Sequence, residues 1–171
     1  SEEFSGEKIP SLEAVLDYCK GKINLNIEIK NIGRDTDLPE AVAAMIQEKD
    51  MAEQCVVTSV SLSYLEQVKE AEPDIRTGFI AAAAYGDYYT TPFVDFISLR
   101  SSLVTRGLVE RAHEAGRAVH AWTVNTPREI RQMEQAGVDN IITDYPVAVR
   151  NLLYQEEGPK TLMEMVRAVL N

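Results

Sequence analysis

One pattern recurs in the second half of the chain and limits its fold more than any other feature. Glu114-Ala-Gly-Arg-Ala-Val-His-Ala-Trp-Thr leads into Thr126-Pro127, and Glu134-Gln-Ala-Gly-Val-Asp-Asn-Ile-Ile-Thr leads into Tyr145-Pro146. Each copy reads as a helix end, an Ala-Gly stop, a strand, a Thr and then a Pro that opens the next helix. A unit of strand followed by helix, repeated at this spacing, implies a parallel sheet with helical crossovers.

The same alternation runs upstream. Ser11 to Cys19 has apolar residues at helical spacing and ends at Lys20-Gly21. Ile23 to Lys30 alternates strictly and reads as a strand. A helix follows from about Leu38 to Lys49, then a β-rich run from Gln54 to Ser59. Ser63 with Glu66 forms a capping box that should open the next helix. Strands are expected at Ile75–Ile80 and Val94–Leu99, and a helix at Thr105–Ala115 that stops at Gly116. Ala118–Val124 and Asn140–Thr143 are the last strands. Thr126-Pro127-Arg128-Glu129 opens one helix, Pro146 another, and a final helix is expected at Thr161–Leu170, after Gly158-Pro159. Parallel strands of this kind form an open doubly wound sheet or a barrel. The chain has no Gly-rich dinucleotide loop and no Gly-Lys-[Ser/Thr] phosphate loop, which favours the barrel.

Composition excludes several classes. Among 171 residues, 17 Lys and Arg face 27 Asp and Glu, a formal net charge of −10. That balance argues against nucleic acid or an anionic membrane surface as a partner. No apolar run approaches the roughly 18 residues that suggest a membrane span, and polar Ser1 to Ser11 does not read as a signal peptide. Cys19 and Cys55 are too few for a disulfide framework and form no Cys-x-x-Cys pair; both read as buried free thiols.

The strand Ile23 to Lys30 carries the chemistry. Ile23, Leu25, Ile27 and Ile29 are apolar, whereas Asn24, Asn26, Glu28 and Lys30 are polar. A parallel strand covered on both faces should be apolar throughout. In a barrel the polar face would look inward, and Glu28 and Lys30 would lie at the C-terminal end, where barrel active sites sit. There a carboxylate suits a hard divalent metal and an ammonium suits a phosphate oxygen. The same alternation also fits an edge strand with a solvated polar face.

Other candidates stand at neighbouring strand ends. Trp122, the only tryptophan, is either core or a pocket wall. Ser59 and Asn125 are candidate pocket residues, and Asp144 reads first as a turn residue before Tyr145-Pro146. His113, in the last turn of a helix, and His120, two residues below Trp122, read as structural. The cluster Tyr85-Gly-Asp-Tyr-Tyr89 reads as a loop with packing aromatics.

At these residues the sequence resembles the glycerophosphodiester phosphodiesterase family. Lys8-Ile-Pro-Ser-Leu-Glu-Ala-Val-Leu, followed by Leu25-Asn-Ile-Glu-Ile-Lys30, is similar to that family's mid-domain signature. Ala121-Trp-Thr-Val-Asn125 and Gly137-Val-Asp-Asn-Ile-Ile-Thr-Asp144 are similar to its closing strands. The resemblance runs from about Gly6 to Leu153. It implies an α/β fold, a (β/α)8 barrel of the TIM type, and hydrolysis of glycerophosphodiesters to glycerol phosphate and an alcohol, in lipid and glycerol metabolism. It also implies a divalent metal, Mg or Ca, with Glu28 as a metal ligand, Lys30 as the active-site lysine near the phosphate, and Trp122 lining the substrate pocket.

The family's opening His-Arg-Gly, its Pro-Glu-Asn-Thr helix start, its Glu-x-Asp metal pair and its His-Asp pair do not occur in this sequence. About six of eight strand–helix units are accounted for. The expectation is therefore an incomplete barrel over residues 1–154, the C-terminal portion of a larger protein, with a helical extension at 155–171. The extension is similar to that of members with an N-terminal membrane region, which implies a membrane attachment outside this chain. The portion should be inactive alone and should self-associate through its open barrel edges. A non-catalytic binding or assembly module with a barrel shape is the alternative. An aldolase-type Schiff base on Lys30 is disfavoured, because neighbouring Glu28 would hold the amine charged.

Overall fold

A computed structural model describes residues 5–30, 37–81 and 88–156, with side chains to residue 153. Six parallel strands form one sheet in chain order: β1 (Leu25–Glu28), β2 (Cys55–Ser59), β3 (Arg76–Ala81), β4 (Phe96–Arg100), β5 (Ala118–Trp122) and β6 (Asn140–Ile141). Among the described residues six α-helices accompany them, in every interval but that between β3 and β4: α1 (Leu12–Cys19), α2 (Leu38–Glu48), α3 (Leu62–Ala71), α4 (Arg106–Glu114), α5 (Pro127–Ala136) and α6 (Pro146–Glu156). The sheet curls into a half-barrel, the expected incomplete (β/α)8 architecture. Among the described residues no helix is long and apolar enough to cross a membrane. The expected helix at Thr161–Leu170 lies outside the described residues, as does most of the Tyr85–Tyr89 cluster; Tyr88 and Tyr89 stand in a short 3-10 turn.

Local chemistry fixes the helix ends. Ser11 accepts a hydrogen bond from the N–H of Ala14 at 3.2 Å, and Thr105 accepts one from Leu108 at 3.3 Å. At α5 the capping box is complete: the Glu129 N–H donates to the Thr126 hydroxyl and the Thr126 N–H donates to the Glu129 carboxylate. These bonds satisfy donors that a helix start leaves open. The expected box at Ser63 and Glu66 does not form. α3 begins earlier, at Leu62, so Ser63 already lies in the first turn, and its hydroxyl pairs with that of Ser61 at 2.9 Å.

Odd-numbered strand residues point outward into the helices. Leu25, Ile27, Ile29 and Val57 join Leu16, Val42, Ile46 and Val68 in one apolar cluster. Phe79, Ile97, Leu99, Val119 and Ala121 join Leu108, Val109, Ile130 and Met133 in a second. The first strand is shorter than its pattern predicts: Ile23 lies before β1 and is 61% exposed. The Ile23 carbonyl accepts from the side chain of Gln54 instead of from a neighbouring strand.

The even-numbered residues face the inside of the curl. Gly78 is required there. A Cβ at this position would stand 2.1 Å from Cε2 of Phe96, so only glycine lets that ring fill the interior. Phe96 in turn stacks on His120 with ring centroids 4.1 Å apart.

Candidate active site

Glu28 ends β1 and Lys30 follows two residues later. The Ile29 N–H donates to the Thr58 carbonyl at 2.8 Å, which continues the pairing past the strand and fixes both side chains on the inner face. Lys30 Nζ lies 3.8 Å from Glu28 Oε2, and both side chains remain accessible, at 74% and 43%. Such an exposed pair adds little to stability. Its accessibility leaves the ammonium free to meet a ligand. The Thr58 hydroxyl donates to Asn26 Oδ1 at 2.9 Å, which joins the polar inner face of β1 to β2.

Trp122 belongs to the same level. Register runs from Glu28 to Thr58, Gly78, Phe96 and Ala118. A barrel of this class staggers by about one residue per strand. Four strand-to-strand steps therefore raise the level from Ala118 to about Trp122. The acidic–basic pair on β1 and the indole on β5 thus stand around one rim, at the strands' C-terminal ends. Arg100, paired in register with Trp122, completes it: its guanidinium carbon lies 5.5 Å from the centre of the Trp122 ring. Sequence reading passes over Arg100, because an arginine at a strand end resembles any solvated charge.

The other candidates take different places. Ser59 is buried on the outward face of β2. Its hydroxyl donates to the Ile29 carbonyl at 2.8 Å and accepts from the Ser61 N–H at 3.1 Å, so it ties β2 to the end of β1. Asn125 joins the ends of β5 and β6: its Nδ2 donates to Asp144 at 2.7 Å, and its Oδ1 accepts from the Thr143 hydroxyl and the Asp144 N–H, both at 3.0 Å.

The histidines lie away from the rim. His113 Nε2 pairs with Asp139 at 2.8 Å, and that carboxylate also accepts from the Val119 N–H at 2.7 Å. Burial works to raise the Asp139 pKa, but the His113 and Val119 hydrogen bonds and the charges of His113 and His120 outweigh it, leaving the carboxyl below its ordinary value. His120 is pushed down to about 4, by burial first and by Arg76 second, against an opposing pull from Asp139. Its Nδ1 is buried and has no hydrogen-bond partner among the described residues.

A divalent cation requires several oxygen ligands. Glu28 offers one carboxylate, turned toward an ammonium. Among the described residues no group of three His, Cys, Asp or Glu side chains is placed to hold a metal ion. The described residues therefore do not make up a metal centre by themselves.

A half-barrel of parallel strands, with charged and aromatic groups gathered on its C-terminal rim, defines a TIM-type enzyme scaffold. The model of the glycerophosphoryl diester phosphodiesterase family matches residues 1–148, and the chain belongs to that family. It is 30% identical over 157 residues to a glycerophosphodiester phosphodiesterase of Caldanaerobacter subterraneus, covering 89% of this chain and 65% of that protein. A solved structure from Silicibacter pomeroyi superposes with a TM-score of 0.77 at 27% identity, over 86% of this chain and 57% of that one. An Oleispira antarctica phosphodiesterase, solved with the product sn-glycerol-3-phosphate, superposes with a TM-score of 0.72 at 20% identity, over 89% and 64%. The chain spans less than two thirds of the length of each of these relatives.

Proposed function

We propose that this chain supplies the Lys30 wall of a barrel that hydrolyses glycerophosphodiesters to glycerol phosphate and an alcohol. The observation that carries the reading is the accessible Glu28–Lys30 pair on the inner C-terminal rim, level with Trp122. In this reaction water attacks phosphorus, the bond from phosphorus to the alcohol oxygen breaks, and the departing oxygen takes up a proton. Negative charge builds on the non-bridging oxygens as the bond breaks. The Lys30 ammonium stabilises it, with the Glu28 carboxylate beside it at 3.8 Å. Trp122 offers an apolar face to the organic part of the substrate.

Proton transfer needs a donor and an acceptor within hydrogen-bond reach of the reacting oxygens. Among the described residues neither histidine stands at the rim, so the reading requires acid–base groups from other residues. Any divalent cation, Mg2+ or Ca2+, likewise needs ligands beyond Glu28. The names of the relatives support the substrate class, and the length difference supports a chain that is inactive alone.

The test compares the 171-residue chain with a protein as long as the relatives. Release of choline from glycerophosphocholine is measured with Mg2+ or Ca2+ present. The longer protein should turn over, and Lys30→Ala should slow it about 100-fold, the usual scale for losing one charge-stabilising group. The chain alone should show no turnover. Equal rates for both, or an unaffected Lys30→Ala, would overturn the reading.

A further inference from the structure

We propose that Arg100, resting over Trp122, forms an anion subsite that selects glycerophosphodiesters whose alcohol carries its own carboxylate or phosphate. The inference rests on the reading above and adds the class of alcohol.

Arg100 is exposed at the end of β4, facing inward beside Trp122. Arg106 pairs with Glu110 at 2.9 Å, and Arg117 donates to the carbonyls of Tyr89 and Thr91. Arg100 has no carboxylate or carbonyl partner among the described residues, in a chain whose net charge is −10. Several described arginines lack such a partner, and Arg100 is the one whose guanidinium stands over Trp122 at the rim. A guanidinium over a ring keeps its in-plane N–H groups free, and those groups match a carboxylate or phosphate in bidentate fashion.

The placement also excludes the opposite charge. An open Trp face would attract a quaternary ammonium. Here the Arg100 guanidinium already lies 5.5 Å over that face, so a choline group would meet a like charge. The subsite takes the alcohol as the arm that reaches from the phosphate at Lys30 across the rim toward β4 and β5, so that its charge decides the fit.

The single tryptophan makes binding to the full 171-residue chain directly readable by Trp122 fluorescence. Four diesters are titrated: glycerophosphocholine (cationic alcohol), glycerophosphoglycerol (neutral), glycerophosphoglycerate (carboxylate) and glycerophosphoglycerol phosphate. The last two should bind about tenfold tighter than the choline diester, and the difference between them tells which anion fits better. Arg100→Gln should reduce that ratio to about twofold or less, and Arg100→Lys should restore part of it. Lys30→Gln should weaken all four together. Equal affinities in the native chain, tighter choline binding, or an Arg100→Gln that weakens every diester equally would each overturn the subsite. Diester binding that needs Lys30 but ignores alcohol charge removes the subsite and leaves the proposed function standing. No binding of any diester by the chain removes the subsite, and turnover by the longer protein then decides the proposed function separately.

Discussion

Gly78 and Phe96 share one space inside the sheet: the ring of Phe96 lies where a side chain on residue 78 would begin, 2.1 Å from an ideal Cβ. The paired backbones of β3 and β4 hold the two residues in register, so neither can slide away.

Gly78→Ala should therefore destabilise the chain by about 1–3 kcal/mol, the range for overpacking a filled interior. Urea denaturation followed by circular dichroism measures it. A neutral effect would mean that Phe96 turns aside freely, and the near-ultraviolet spectrum would then show a changed aromatic environment.

Glu28→Gln and Lys30→Ala should leave stability within about 0.5 kcal/mol of the native chain, since both side chains are exposed and an exposed pair contributes little. A loss of several kcal/mol in either variant would show that the pair holds β1 in place.

His120 should make stability fall on mild acidification. Its folded pKa of about 4 lies below the ordinary 6.5, through burial first and Arg76 second. A folded value below the unfolded one means that the unfolded chain takes up the proton first. The contribution of neutral His120 is thus complete above about pH 6.5 and is lost as pH falls toward 4, at no more than about 1.4 kcal/mol per pH unit. Denaturation midpoints at pH 7 and pH 5 should differ, and His120→Gln should flatten that difference. Asp139, whose pKa is lowered, acts in a separate window below its ordinary 3.8.

Asn125→Ala should cost about 0.5–1.5 kcal/mol, the usual net worth of a hydrogen bond, because it removes a donor and an acceptor that serve Thr143 and Asp144. Hydrogen exchange should show faster opening at β6, which β5 alone pairs with, and little change at β3.

The isolated chain should self-associate. Among the described residues β1 and β6 each pair with one strand only, so each leaves a row of backbone groups without a strand partner there. Beside β6 an open groove of about 510 Å³ is lined by Val138, Ile141, Pro146, Val149 and Leu153 among others. Light scattering on the purified chain measures its mass, and a stable monomer at high concentration would contradict the expectation.

Much of this fold is legible before any coordinates. The repeated Ala-Gly, strand, Thr and Pro sequence places β5, α5, β6 and α6, because each boundary residue has a local physical role: Gly137 adopts φ of 84° and Pro127 opens a helix. The strict alternation of Leu25 to Lys30 identifies the polar inner wall, because period two is a property of the strand itself. Arg100 is not legible, since its importance depends on Trp122, a residue brought beside it by sheet register. Ser59 shows the converse. Its position at a strand end suggests a pocket, but one residue of phase turns it outward, where its hydroxyl serves the backbone. The start of α3 at Leu62, with Ser61 and not Ser63 at its cap, is not legible in the capping pattern, because Ser61 makes no side-chain cap bond.

The order of the strands in the sheet is the order in which a ribosome delivers them. β2 finds β1 already made, β3 finds β2, and so on to β6, with an α-helix in every described crossover except that from β3 to β4, which holds a 3-10 turn at Tyr88–Thr90. No described strand has to wait for a partner encoded much later, and no early strand must hold an edge open for a late one to insert between its neighbours. Contacts between elements close in sequence separate cheaply and re-form quickly, because loop closure costs little over short spans. The chain can therefore grow its sheet one unit at a time during synthesis, with the outer edge of β1 fixed and only the opposite edge advancing.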